Sequence, residues 1–368
     1  HTEKNMNINE NVLKNDEKAV LKLRDLYGLY GYSCFKMNKF EEYDLYGQNK
    51  EFLISDGVIT FTDTDGKLMA LKPDVTLSIV KNSADVLNGV KRLYYNENVY
   101  RISERTHHYK EIMQTGLECF GDLGVYNLCE VIGLATKSLG IISEESVLSV
   151  SHLGVISALL EGEDQLGHAR RDIMKRLEEK NEHELRFLCK KCGISEEKTR
   201  FITSLTKAYG EPKSVVSGLM SMTSDGRIIS ALKEFETVVS ACEKTSPVKI
   251  RADFSLTGDM AYYNGLIFRG YVRGIPTPVL SGGQYDMLMK KMGRSEKAIG
   301  FAVYPEALER LEKNREYDFD VLVLYDDGTK TEDIIAKTEE LTKAGKSVSV
   351  RKTVPELLRF RETVDLSR

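Results

Sequence analysis

Residues 101–121 constrain the fold more than any other stretch. Arg101-Ile102-Ser103-Glu104-Arg105 leads into a polar loop, and Gln114-Thr115-Gly116-Leu117-Glu118-Cys119-Phe120-Gly121 follows it. The pattern predicts a hairpin: an arginine at the end of one strand, the loop, and a return strand carrying Gln and Glu on one face. Side chains alternate across a strand, so Gln114, Gly116 and Glu118 share one face while Thr115, Leu117 and Cys119 share the other. The first face is expected to hold something charged and the second to pack inward. On these residues alone, a surface hairpin with a solvated polar face fits as well.

The rest of the chain narrows the choice. With 368 residues and 41% hydrophobic content there is room for a well-buried core, either one large domain with an insertion or two to three domains. The 52 basic and 56 acidic residues give a net charge of -4, with no basic footprint for nucleic acid. No uninterrupted apolar run approaches the length of a membrane span, and His1-Thr2-Glu3-Lys4-Asn5 lacks the basic-then-apolar order of a signal peptide, so a cytoplasmic protein is expected. Of six cysteines only Cys189 and Cys192 are close, and one such pair does not complete a zinc site. His107 and His108 with Glu104 lack a third ligand at matched spacing. No metal, cofactor or catalytic residue is expected.

Along the chain, residues 15–31 read as an amphipathic helix, with Val20, Leu21, Leu23, Leu26 and Tyr27 at helical spacing. Strands are expected over 33–40, 58–63 and 67–71, with Asp63-Thr64-Asp65-Gly66 as a turn. Asp74 is placed to cap a helix beginning at Val75. A helix is expected from about Leu128 to Leu139. Residues 160–245 are mostly charged helices and read as an inserted module. Strands return at 253–257 and 265–272, then Ser281-Gly282-Gly283-Gln284-Tyr285-Asp286 starts a helix. A final β-α-β pattern covers 319–325, 331–344 and 347–350. The expected domains are 6–317, with the helical insertion, and a small α/β unit over 318–368.

This order of motifs resembles the histidyl-tRNA synthetase family of class II synthetase-like proteins, from about Leu13 to Leu311. The matching pieces are Leu71-Lys72-Pro73-Asp74-Val75-Thr76, the 101–121 hairpin, Ala261-Tyr262-Tyr263-Asn264-Gly265-Leu266-Ile267-Phe268, Ser281 to Asp286, and Ala298-Ile299-Gly300-Phe301-Ala302. The resemblance implies an α+β fold in which helices flank a mostly antiparallel sheet, with dimerisation near Phe40 to Tyr46.

Departures from the synthetase pattern bear on function, because adenylate chemistry builds negative charge that arginines must stabilise. Where the family pattern places an arginine before the tyrosine pair, this chain has Leu256-Thr257-Gly258-Asp259. The arginine expected after Gly300 falls on Ala307, with Arg310 a turn further on. His107 or His108 stands in the hairpin loop, Arg269 replaces a glutamate, and Gln284 replaces the arginine of the Gly-Gly-Arg-Tyr-Asp motif. The amino-acid pocket is kept. Histidine offers an ammonium, a carboxylate and an imidazole. The resemblance implies Asp74, Thr76 and Gln114 for the ammonium, Arg101 for the carboxylate, and Glu118, Tyr263 and Tyr285 for the ring, with Tyr262 beside them. Read singly, Asp74 is also a plain helix cap, the tyrosines also packing aromatics, and Arg101 also a cross-strand partner for Glu118.

A synthetase-like body with a histidine pocket and without the ATP arginines is similar to the regulatory subunits of ATP phosphoribosyltransferase. That resemblance implies L-histidine as ligand and the short-form catalytic subunit as partner, with a homodimer inside a hetero-oligomer. The alternative is a divergent synthetase-like enzyme that adenylates an amino acid.

Overall fold

The 90–121 hairpin is the spine of a nine-stranded sheet. A computed structural model describes residues 13–49, 53, 57–83, 89–103, 107–161, 169–258, 262–311 and 317–367. Glu104, Arg105, Asp259 and Ala261 lie outside them, as does the side chain of Arg310. Two compact units, His1–Leu311 and Glu312–Arg368, divide the chain.

Helix α1 (Asn15–Leu29) opens the first unit, with Glu17 accepting from the Lys14 amide in its first turn. The strand expected over 33–40 is cut short. β1 (Ser33–Cys34) pairs only with Leu93 and Tyr94, and the chain then crosses to a second sheet at β2 (Phe40–Glu42). A short helix α2 (Asp44–Gly47) precedes β3 (Thr60–Thr62) and β4 (Leu68–Leu71), which form a hairpin. Asp63 turns it, its Oδ1 accepting from the amides of Asp65 and Lys67, while Gly66 adopts the left-handed φ of 82° that the turn needs. Asp74 caps α3 (Val75–Asn82), accepting from the Leu77 amide at 2.9 Å.

β5 (Val90–Ile102) and β6 (Tyr109–Gly121) pair over their full length. α4 (Val125–Ile142) runs three residues further than expected at each end, and its 18 residues are long and apolar enough to cross a membrane; half of that length is buried as a core helix. After β7 (Ser146–His152) come α5 (Leu153–Leu160), α6 (Ala169–Glu178), α7 (Glu182–Lys191), α8 (Glu196–Leu205), β8 (Tyr209–Gly210), α9 (Pro212–Met220) and α10 (Gly226–Glu243). Asn181, Ser195, Glu211 and Asp225 cap four of these helices. β9 (Lys249–Asp253) ends where a strand was expected to begin, because Asp253 accepts from both the amide and hydroxyl of Ser255 and turns the chain. β10 (Leu266–Val272), β11 (Leu280–Gln284), α11 (Asp286–Lys291), β12 (Lys297–Val303) and a 3-10 segment, Pro305–Leu311, complete the unit.

The large sheet runs β1-β5-β6-β12-β11-β10-β7-β9-β8. Neighbours are antiparallel except β1 with β5 and β7 with β9. Both faces are covered. Leu117 and Cys119 join Leu23, Tyr27, Val131, Leu148 and Phe235 in a core built with α1, α4, α5 and α10, and buried residues of α6, α7 and α8 such as Ile173, Leu185 and Ile202 belong to the same core. Phe120, Tyr95 and Val99 pack on the other side against Leu77 and Ile79 of α3, Tyr285 and Leu288. Each fully buried side chain of this size contributes about 1.5–3 kcal/mol relative to exposure. β6 is therefore buried on both faces from Gln114 to Gly121, and the solvated-hairpin reading does not hold.

The second unit is a three-stranded parallel sheet. β13 (Phe319–Leu324) lies between β14 (Val348–Arg351) and β15 (Phe360–Asp365), with α12 (Thr331–Lys343) connecting the first two and Val321, Val323 and Leu341 as its small core. β15 extends the expected β-α-β pattern by one strand.

Candidate functional site

Sheet register builds the floor of a cavity on the α3 side. Reading across strands, Ile267, Gly283, Gly300 and Glu118 form one row, and Arg269, Ser281, Ala302, Gly116 and Tyr95 form the next. The middle strands contribute only Gly, Ala and Ser, so the sheet itself leaves a trough between the large side chains at its edges. Gly300 is essential to its shape: a Cβ there would sit 1.8 Å from Glu118 Oε2. The resulting cavity is about 310 Å³, within the range of small-molecule sites.

All eight residues singled out from the sequence line this one cavity: Asp74, Thr76, Arg101, Gln114, Glu118, Tyr262, Tyr263 and Tyr285. They come from four places. The start of α3 supplies Asp74 and Thr76, the long hairpin supplies Arg101, Gln114 and Glu118, the turn before β10 supplies the tyrosine pair, and the start of α11 supplies Tyr285. Asn264 ties the last two together. Its Oδ1 accepts from the Asp286 amide at 2.8 Å, and Asp286 in turn accepts from the Ala298 amide.

Glu118 is the electrostatic centre. Thr76 Oγ1 donates to its Oε1 at 2.7 Å and the Tyr285 hydroxyl to its Oε2 at 2.6 Å. Burial pushes its carboxyl up to about 8, against those two hydrogen bonds, and neighbouring Asp74 adds to the rise. Burial also raises Asp74, opposed by the Leu77 amide and Arg101. The hydroxyls of Tyr95, Tyr262, Tyr263 and Tyr285 are all held neutral by desolvation. The Tyr262 ring lies tilted against its neighbours, its centroid 4.7 Å from that of Tyr263 and 5.9 Å from that of Tyr285, giving an aromatic wall.

Two of the simpler readings resolve. Asp74 is both the cap of α3 and a cavity residue. Arg101 is not the cross-strand partner of Glu118: Lys110 faces Arg101 and Leu93 faces Glu118, while Arg101 Nε donates to the Pro73 carbonyl at 3.0 Å. That bond places Arg101 beside Asp74, at the edge of the cavity.

Among the described residues lining the cavity, Arg101 and Arg269 are the only cations. Gln284 faces the backbone, its Oε1 accepting from the Leu266 amide at 2.5 Å. Gly258 offers no side chain. Ala307 packs on the core, and His107 and His108 are exposed at the hairpin tip, which is closed by Ser103–His108 and His107–Ser103 backbone bonds. Sequence reasoning missed several cavity residues. Tyr95 and Tyr304 line it, as do Arg269 and its partner Glu178, whose carboxylate accepts from the guanidinium at 2.5 Å. Strand alternation from Arg101 along β5 identifies Tyr95, and the Arg269 substitution was itself a signal; Glu178 lies 91 residues away on a helix and carries none.

Comparison with known proteins identifies the family and the fold. The family model described as histidyl-tRNA synthetase matches residues 7–308. The ATP phosphoribosyltransferase regulatory subunit of Oceanobacillus iheyensis is 25% identical over 288 residues, 77% of this chain and 71% of the relative. A Bacillus halodurans structure described as an ATP phosphoribosyltransferase regulatory subunit/histidyl-tRNA synthetase superposes with a TM-score of 0.71 at 23% identity, covering 96% of this chain and 94% of that one. A Thermotoga maritima structure, described as the ATP phosphoribosyl transferase (HisG:HisZ) complex, gives a TM-score of 0.62 at 20% identity over 78% of this chain and 96% of that one. The fold is the class II synthetase fold. The chain belongs to the histidyl-tRNA synthetase family, among relatives named as regulatory subunits of ATP phosphoribosyltransferase.

Proposed function

We propose that this chain is a non-catalytic regulatory subunit of ATP phosphoribosyltransferase, acting in the cytoplasm on the short-form catalytic subunit at the first step of histidine biosynthesis. It binds free L-histidine in the cavity, activates the catalytic partner, and carries the feedback signal to it. Asp74, Thr76 and Gln114 accept from the ammonium, Arg101 meets the carboxylate, and Glu118, Tyr263 and Tyr285 hold the ring against Tyr262.

The observation that supports this most is a buried Glu118 fixed in the cavity by Thr76 and Tyr285, together with neutral or missing side chains at Gly258 in the cavity wall and at Gln284 and Ala307 outside it. Such a site suits an amino acid with a protonatable ring. Among the described residues its cations are Arg101 and Arg269 alone, and Gly258, Gln284 and Ala307 add none for a developing adenylate. The names carried by the relatives point the same way.

Coupling of about 1–3 kcal/mol between histidine and the partner's substrates suffices for feedback, and it is reciprocal: substrates that bind the partner must weaken histidine by the same factor. The segment 40–46 is the homodimer contact in this reading; Phe40 there is exposed and packs edge-on to Phe61 at 5.3 Å. Calorimetric titration tests the pocket. Saturable binding of L-histidine, with no histidine-dependent ATP/pyrophosphate exchange by the chain alone, is expected. Exchange activity would make it a synthetase-like enzyme instead.

A further inference from the structure

Arg269 stands at the middle of β10, on the sheet row that forms the cavity floor, facing the same space as Gly116 and Tyr95. Its guanidinium is held by a carboxylate from a different part of the chain. Glu178, the last residue of α6, accepts from Arg269 Nη1 at 2.5 Å, and its second oxygen accepts from Thr257 Oγ1 at 3.5 Å. Both side chains are partly exposed, 27% for Arg269 and 39% for Glu178, so the pair is open to exchange.

The location of Glu178 is informative. A carboxylate at the C-terminal end of a helix faces the negative end of the helix dipole and is disfavoured there. Its neighbour Glu179 is engaged by Arg176, at 2.6 Å. Glu178 is thus held in the cavity wall by Arg269 rather than by its own helix. The group it presents to Arg269 is chemically the same as the α-carboxylate of an amino acid. Arg101, the other cavity arginine, already donates through Nε to a backbone carbonyl and lies beside the Asp74 carboxyl.

We infer that Arg269 is a second carboxylate-recognising residue of the site and that Glu178 is a stand-in for the ligand's carboxylate, which the incoming amino acid displaces. The inference rests on the proposed histidine pocket and adds to it a way out. When the ligand takes Arg269, Glu178 at the end of α6 is left with the Thr257 hydroxyl alone among these partners, and that helix packs on α7 and α8. Occupancy is then transmitted to the helical region by exchange of one carboxylate for another.

The test is a calorimetric titration of the full chain with L-histidine and with L-histidinol, which keeps the ammonium and the ring but carries an alcohol in place of the carboxylate. Glu178→Gln keeps the shape of the half-exposed side chain and removes the competing charge. It is expected to tighten L-histidine about two- to fivefold, the scale of a partly exposed ion pair, and to leave L-histidinol unchanged. Arg269→Gln is expected to weaken L-histidine about tenfold or more, again with little effect on L-histidinol. Hydrogen exchange adds a second readout: in the wild type, L-histidine but not L-histidinol should speed exchange of amides near the end of α6. If wild type binds L-histidine and Glu178→Gln leaves that affinity unchanged, or shifts both ligands equally, the exchange idea is wrong while the pocket stands. If wild type does not bind L-histidine, both fall together.

Discussion

Glu118 makes the pH dependence of histidine binding specific enough to calculate. Its carboxyl is pushed up to about 8 in the empty cavity, and a histidine ring ordinarily titrates near 6.5. In the complex one proton is shared between the carboxylate and the ring. Between about pH 6.5 and 8 the free partners also hold one proton in total, on Glu118, so affinity is flat there. Above about 8 the free protein has lost that proton and affinity falls about tenfold per pH unit; below about 6.5 the ring carries an extra one and affinity falls again. Glu118→Gln removes the charge-assisted bond, roughly 1.5–3 kcal/mol, and weakens binding about ten- to hundredfold at neutrality. The amide pairs with the neutral ring, so the variant keeps the acid limb. Any alkaline limb it retains belongs to the ligand's ammonium. The ratio of variant to wild-type Kd is therefore constant below about pH 8 and shrinks about tenfold per unit above it. Calorimetry over this range measures it. A ratio that stays constant through about pH 9 refutes the shared proton.

The same group has a signature without ligand. Because the folded value lies above the ordinary 4.5, the folded state binds the proton more tightly, and the associated stability is full below about 4.5 and lost as pH rises toward about 8. The separation is worth on the order of 5 kcal/mol at most, so wild type should lose denaturant midpoint relative to Glu118→Gln across that window.

Other substitutions separate roles that coincide. Asp74→Ser keeps a capping oxygen for α3 and should preserve stability while losing histidine affinity, whereas Asp74→Ala should also lower stability by about 1 kcal/mol in urea unfolding. Gly300→Ala puts a methyl onto Glu118 Oε2, which should abolish histidine binding and cost about 1–3 kcal/mol in the same assay. Lys72 is fully buried and pairs with Glu97 at 2.9 Å; Lys72→Met should cost roughly 3 kcal/mol, and adding Glu97→Gln should recover part of it, as seen in thermal melts.

Particular residues show how far the amino-acid sequence could be read. The 101–121 hairpin, the Asp63–Gly66 turn and the Asp74 cap depend on local chemistry, and each formed as expected. Elements that failed depend on distant partners. The 33–40 strand shortened because only Leu93 and Tyr94 lie beside it, the 253–257 strand shifted because an Asp253 turn stops it, and β15 has mostly exposed residues, half of its six charged, that gain order only beside β13. The cavity divides in the same way. Its eight expected residues sit in recognisable motifs. Arg269 was visible as a departure from the pattern but not as a wall of the site, and Glu178 reaches that wall only through the packing of α6.

The central claim is most directly tested by reconstitution. The chain is added to the short-form ATP phosphoribosyltransferase of the same genome, and product formation is followed with and without L-histidine. The account predicts activation by the chain, and inhibition by histidine only when the chain is present. A catalytic subunit indifferent to the chain, or equally sensitive to histidine without it, would contradict the account.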